Sequence, residues 1–129
     1  MSVKVTQVEG GLFKAECRGA EVIAGRVDPD SPYVGISPGN LMVVALGMCN
    51  GVYVEDYLRR EGIEYDSLEI TVNRKYERDP PRATEFDIQI DLRGELSEEE
   101  RKGALEAALR CYVGNTFEGT PKINVRLTG

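Results

Sequence analysis

The sequence predicts a mixed α+β fold with the element order βββ-α-ββ-α-β. Three observations carry that expectation. Two stretches, residues 2–25 and 68–92, alternate apolar and polar residues with the period of a strand. Between them lies a long apolar segment that opens on a capping pair and closes on a glycine. The strands also come in hairpins, not singly between helices, which argues against a parallel doubly wound sheet. At 129 residues the chain fits one domain, 1–129, with no internal repeat, low-complexity segment or linker.

Val3 and Val5 alternate with Lys4 and Thr6. Gly10-Gly11 turns the chain into Leu12–Arg18, and Arg18-Gly19 turns it again into Glu21–Ala24, a three-stranded meander. Residues 28–37 (DPDSPYVGIS) are loop by composition. Ser37 is then an N-cap with Pro38 at the first helical position, and the helix runs to Glu61, where Gly62 ends it.

The first half of that helix, Leu41–Cys49, is apolar around its whole circumference and must be covered on all sides. One chain of this length can hardly wrap it, which implies a partner subunit. Gly47 and Gly51, four residues apart on one face, would let another backbone approach closely.

Beyond the helix, Leu68, Ile70 and Val72 face one way, as do Phe86, Ile88, Ile90 and Leu92, with Asp79-Pro80-Pro81 as the turn of a long hairpin. Ser97 and Glu100 form a capping box for a second helix. Leu105, Ala108 and Leu109 make its apolar stripe, Arg110 suits its negative end, and Cys111 follows. Ile123, Val125 and Leu127 are read as a last strand.

Charge and composition exclude several functions. Lys and Arg number 16 against 22 Asp and Glu, a net charge of −6, which disfavours a nucleic-acid or anionic-membrane partner. The chain has no histidine, so Ser-His-Asp triads, Cys-His pairs and His-ligated metals are out. Three cysteines, Cys17, Cys49 and Cys111, contain no CxxC and make a poor zinc site, so neither a metal nor a cofactor is expected. Their odd number argues for a reducing, cytoplasmic setting. The unbroken apolar run Leu41–Met48 is far shorter than the roughly twenty residues that span a bilayer.

Taken singly, these features are mute. A free cysteine is most often inert filler. Gly10-Gly11 is a hairpin turn, not a phosphate loop, and Glu98-Glu99-Glu100 is a solvated first turn that favours the helix dipole.

A resemblance carries the reading further. Ser37-Pro38-Gly39-Asn40-Leu41 through Ala45-Leu46-Gly47-Met48-Cys49 resembles the P-x-x-L-x-x-x-A-L-G-x-C signature of the OsmC/Ohr family of osmotically inducible and organic hydroperoxide resistance proteins. Leu96-Ser97-Glu98-Glu99-Glu100-Arg101 resembles that family's L-S-x-E-x-R. Cys111-Tyr112-Val113-Gly114-Asn115-Thr116-Phe117 resembles its second cysteine segment, C-P-V-x-x-T-[LF]. The order is kept over nearly the whole chain.

The resemblance implies an intertwined homodimer whose central helices are wrapped by antiparallel sheets from both subunits. It also implies thiol-dependent reduction of organic hydroperoxides, with Cys49 attacking, Cys111 resolving, and a dithiol or lipoylated protein as reductant. An OsmC-fold dimer that binds an apolar ligand or sulfur species, with weak or no turnover, is the alternative.

Activation of Cys49 is the physical difficulty. Apolar burial suppresses a thiolate, and position 49 lies about eleven residues inside the helix, beyond reach of the N-terminal dipole. A cation must serve. In active hydroperoxide reductases it is an arginine held by a glutamate, and the glutamate position corresponds to Gly39. Arg18, in an early turn between strands, matches the arginine best, with Arg26 the other candidate. Tyr112 in place of the usual proline and Gly114-Asn115 in place of a frequent His-Arg are further departures. Cys17 has no counterpart in the pattern and is read as a strand-core residue.

Overall fold

In the computed structural model, which describes residues 2–129, β1 (Lys4–Glu9), β2 (Gly11–Cys17) and β3 (Ala20–Arg26) form an antiparallel sheet ordered β1-β2-β3. Arg18 and Gly19 both have positive φ, +50° and +82°, the two-residue hairpin geometry that matches strand twist. At Gly10, with φ +54°, an added Cβ would strike the Val27 carbonyl, so glycine is required there. The meander forms as its alternation predicts.

α1 (Pro38–Arg60) opens as its capping pair predicts, with the Asn40 N–H donating to Ser37 Oγ at 3.4 Å. It stops before Gly62, whose φ is +64°. The contacts divide into two compact units, residues 1–42 and 43–129, with α1 beginning in the first and continuing through the second. By length and hydropathy α1 is long and apolar enough to cross a membrane. The run Leu41–Met48 understated it, because Val52, Tyr53 and Val54 extend the apolar stretch past Asn50-Gly51.

The second unit holds the hairpin of β4 (Ser67–Arg78) and β5 (Pro81–Arg93), in which Ile70 faces Ile90 and Val72 faces Ile88. α2 (Glu98–Ala108) and α3 (Tyr112–Glu118) follow. The predicted capping box is present: Glu100 N–H donates to Ser97 Oγ at 3.1 Å, and Ser97 N–H donates to Glu100 Oε1 at 2.9 Å. Leu46, Asn50, Val54 and Leu58, each one helical turn apart, form the buried stripe of α1. Val54 and Leu58 meet Leu92, Ala104 and Ala108, with Tyr57, Ile63 and Ile90 around them.

Four expectations need correction. The stripe Leu105, Ala108, Leu109 is not the buried face of α2: Ala104, Ala107 and Ala108 are buried, whereas Leu105 and Leu109 are 56% and 73% exposed. Small alanines let α2 sit close, and the leucines take the outer side. Ile123, Val125 and Leu127 form no strand, because residues 120–129 pair with nothing in this single chain. An additional helix, α3, follows Cys111, hidden in the sequence by the poor helix formers Gly114, Asn115 and Thr116.

Lastly, Gly47 and Gly51 admit side chains of the chain's own β4, not another backbone. A Cβ on Gly47 would lie 3.1 Å from Val72 Cγ2, and one on Gly51 would lie 3.7 Å from Ile70 Cγ1.

Candidate functional site

The fold brings together two of the three cysteines. Cys49 is half-buried on α1, one turn beyond the buried Leu46. Cys111 is 2% exposed at the corner between α2 and α3, held by its own N–H on the Ala108 carbonyl at 3.2 Å and acting as N-cap of α3. Burial pushes the Cys111 thiol up from its ordinary value. The N–H groups of Gly114 and Val113 pull the other way, and the neighbouring Cys49 sulfur adds to the upward push.

Two neighbours shape the pair. Asn50, buried beside Cys49, donates its side-chain N–H to the Leu46 carbonyl at 3.1 Å and so ties up the turn that carries the thiol. Gly114 packs its backbone against Leu46 and Cys111: a Cβ there would sit 3.7 Å from Leu46 Cδ1 and 3.9 Å from Cys111 Sγ. Sequence reading missed both roles. A polar residue in an apolar helix was the available signal for Asn50; Gly114 was seen only as a departure from a motif.

Gly114 and Leu46 also line a cavity of about 400 Å³ bounded by β5 and α3, where Phe86 and Phe117 stack with ring centroids 5.4 Å apart. A second, apolar groove of about 430 Å³ runs between α1 and β4, along Val44, Gly47, Met48, Ile70 and Val72.

The arginine candidates lie in the 1–42 unit and the thiols in the other. Arg18 is exposed at the β2–β3 turn. Arg26 is engaged locally, donating to the Pro29 carbonyl at 3.0 Å and lying 4.6 Å over the Tyr33 ring. Gly39 has open space around its Cβ direction. Cys17 closes β2 half-buried, not in a core. Among the described residues no cluster of three or more His, Cys, Asp or Glu could hold a metal ion.

The sequence profile of OsmC-like proteins matches residues 28–126, a span that includes both cysteines. The chain belongs to the OsmC family. An uncharacterised protein of Mycobacterium tuberculosis is 31% identical over 118 residues, covering 85% of this chain and 82% of that protein. The OsmC-like protein of Mycoplasma pneumoniae has the same fold with a TM-score of 0.79 at 19% identity, over 98% of this chain and 94% of that one. The organic hydroperoxide resistance protein OhrB of Bacillus subtilis matches with a TM-score of 0.55 at 20% identity, over 92% and 90%. Within this OsmC fold, the βββ-α-ββ order is the one the alternation predicted.

Proposed function

We propose that this OsmC-family protein is a thiol-dependent peroxidase acting on organic hydroperoxides, with Cys49 as the attacking thiol and Cys111 as the resolving one. The observation that carries the reading is that the fold sets the Cys49 sulfur beside the buried Cys111 thiol. Cys49 takes the terminal oxygen of the hydroperoxide: an S–O bond forms, the O–O bond breaks, and the alkoxide leaves as the alcohol after taking the thiol proton. Cys111 then attacks the sulfenic sulfur. The S–S bond forms, the S–O bond breaks, and water leaves. A small dithiol or lipoylated protein returns both thiols by exchange.

The raised Cys111 thiol fits the order of these steps, since it stays protonated while Cys49 is the nucleophile. Arg18 is the cation assigned to Cys49, at the turn where the family pattern carries its arginine. A homodimer in the cytoplasm completes the reading. On α1, Met48 and Val52 are 70% and 63% exposed in the single chain, an apolar face that a second copy covers.

A second reading, an OsmC-fold dimer that binds an apolar ligand with little turnover, is favoured by one observation: Gly39 offers no carboxylate to orient an arginine. A peroxidase assay with dithiothreitol, comparing cumene hydroperoxide with hydrogen peroxide, separates the two. Dithiol-dependent consumption that prefers the organic peroxide supports the enzyme. No consumption of either peroxide by the reduced protein supports the binder.

A further inference from the structure

A pocket of about 330 Å³, at the small end of the range that ligand sites occupy, is built wholly from residues 11–38, and neither Cys49 nor Cys111 lines it. One β-turn organises it. The Ser31 N–H donates to the Asp28 carbonyl at 3.1 Å, with Pro29 at the second position of the turn. The Asp30 N–H donates to Asp28 Oδ1 at 2.9 Å, which fixes that carboxylate and leaves Oδ2 open. Arg26 Nη1 donates to the Pro29 carbonyl at 3.0 Å, so the same turn pins the guanidinium. The Val34 N–H donates to the Gly25 carbonyl at 2.8 Å, folding the loop back so that the Tyr33 ring backs Arg26 at 4.6 Å. Gly11 and Gly25 present bare main chain to the pocket: Gly25 has φ +104°, and a Cβ there would strike the Gly11 carbonyl.

Arg26 and Asp28 thus line one pocket with opposite charges, each held by a neutral backbone partner. Among the described residues neither forms an ion pair with the other or with any third group. We infer that the pocket binds a zwitterionic α-amino acid with an apolar side chain, its carboxylate on Arg26 and its ammonium on Asp28. A guanidinium with Nε and Nη2 uncommitted presents the fork that a carboxylate accepts from, and the open Oδ2 of Asp28 accepts from an ammonium. A simple anion would gain Arg26 but meet Asp28, in a chain of net charge −6, and a simple cation would meet Arg26. A zwitterion satisfies both groups and carries no net charge. Val27, Pro29, Pro38 and Tyr33 supply apolar surface for a short side chain. The site involves no thiol, so it stands or falls independently of the peroxidase reading.

Titration of the reduced full-length protein, followed by amide chemical shifts, tests this with three probes. L-leucine carries both charges, isocaproate lacks the ammonium, and isoamylamine lacks the carboxylate. Leucine is expected to move the amides of Gly11, Gly25 and Tyr33. Each truncated probe is expected to bind about tenfold more weakly, the effect of losing one hydrogen bond to a charged group. Asp28→Asn keeps an acceptor for the Asp30 N–H, so the turn survives; it is expected to weaken leucine about tenfold and to leave isocaproate no weaker. Arg26→Gln is expected to weaken leucine by a similar factor while sparing isoamylamine. Leucine that moves none of these amides at about 10 mM overturns the inference. So does isocaproate that binds as tightly as leucine, or a leucine affinity that survives Asp28→Asn.

Discussion

The Cys111 and Cys49 thiols interact, joining the N-cap of a seven-residue helix to the middle of the 23-residue α1. The contact places the buried thiol behind the half-exposed one. In the proposed mechanism peroxide meets Cys49 first, with Cys111 as the resolving sulfur.

That geometry sets a pH dependence. Burial raises the Cys111 thiol above its ordinary value of 9.0, so the unfolded chain loses this proton first as pH rises. The contribution is whole below the ordinary value and is lost as pH climbs through the raised one. Urea unfolding of the reduced protein, from neutral pH to beyond the ordinary thiol value, is expected to show falling stability. Cys111→Ala should flatten the alkaline slope; an unchanged slope contradicts it.

Gly39→Glu tests the missing carboxylate. Its Cβ meets nothing within 4 Å, and α1 has no acidic residue in its first turn. Replacing glycine in a helix and adding a negative charge at its N-terminus should together stabilise by about 1 kcal/mol, seen as a higher melting temperature. Turnover of cumene hydroperoxide is expected to rise as well. A folded, stabilised variant with no gain in rate would show that arginine orientation is not the limiting defect.

Assembly is tested on the outer face of α1. Met48→Glu places a charge where the single chain exposes 70% of the residue, so the isolated fold should tolerate it. Light scattering at micromolar concentration is expected to give a dimer for the natural chain and a shift to monomer for the variant. A natural chain that runs as a monomer contradicts the reading. Gly47→Leu is a poor probe by comparison, because it would crowd Val72 within one chain.

Two stability changes calibrate the core. Leu58→Ala removes a fully buried side chain from the contact of α1 with α2 and β5, and should cost about 2–5 kcal/mol in urea unfolding. Ser97→Ala breaks the capping box and should cost about 1 kcal/mol. A smaller loss for Leu58 than for Ser97 would mean the core is not where the packing puts it.

Alternation and capping were legible in the sequence, since both are local. Val5 and Ala15 pair across the meander, Ile70 and Ile90 across the second hairpin, and Ser97 caps where its spacing to Glu100 says it should. What escaped was decided by long-range contact. Whether the alanine or the leucine side of α2 is buried depends on how close α1 comes, and Gly47 acquires its neighbour only when β4 folds back. Ile123, Val125 and Leu127 keep a strand's pattern but find no edge in one chain, which periodicity cannot report. The thiol pair was legible only through motif resemblance, because a separation of 62 positions hides it from any local rule.

Peptide mapping under non-reducing conditions, after one equivalent of cumene hydroperoxide is added to the reduced protein, tests the central claim most directly. The account requires a single new linkage, Cys49 to Cys111, with Cys17 still alkylatable. Cys49→Ser should abolish it along with peroxide consumption, and Cys111→Ser should leave a sulfenic acid at Cys49. A Cys49 that stays fully alkylatable in excess hydroperoxide would contradict the peroxidase account.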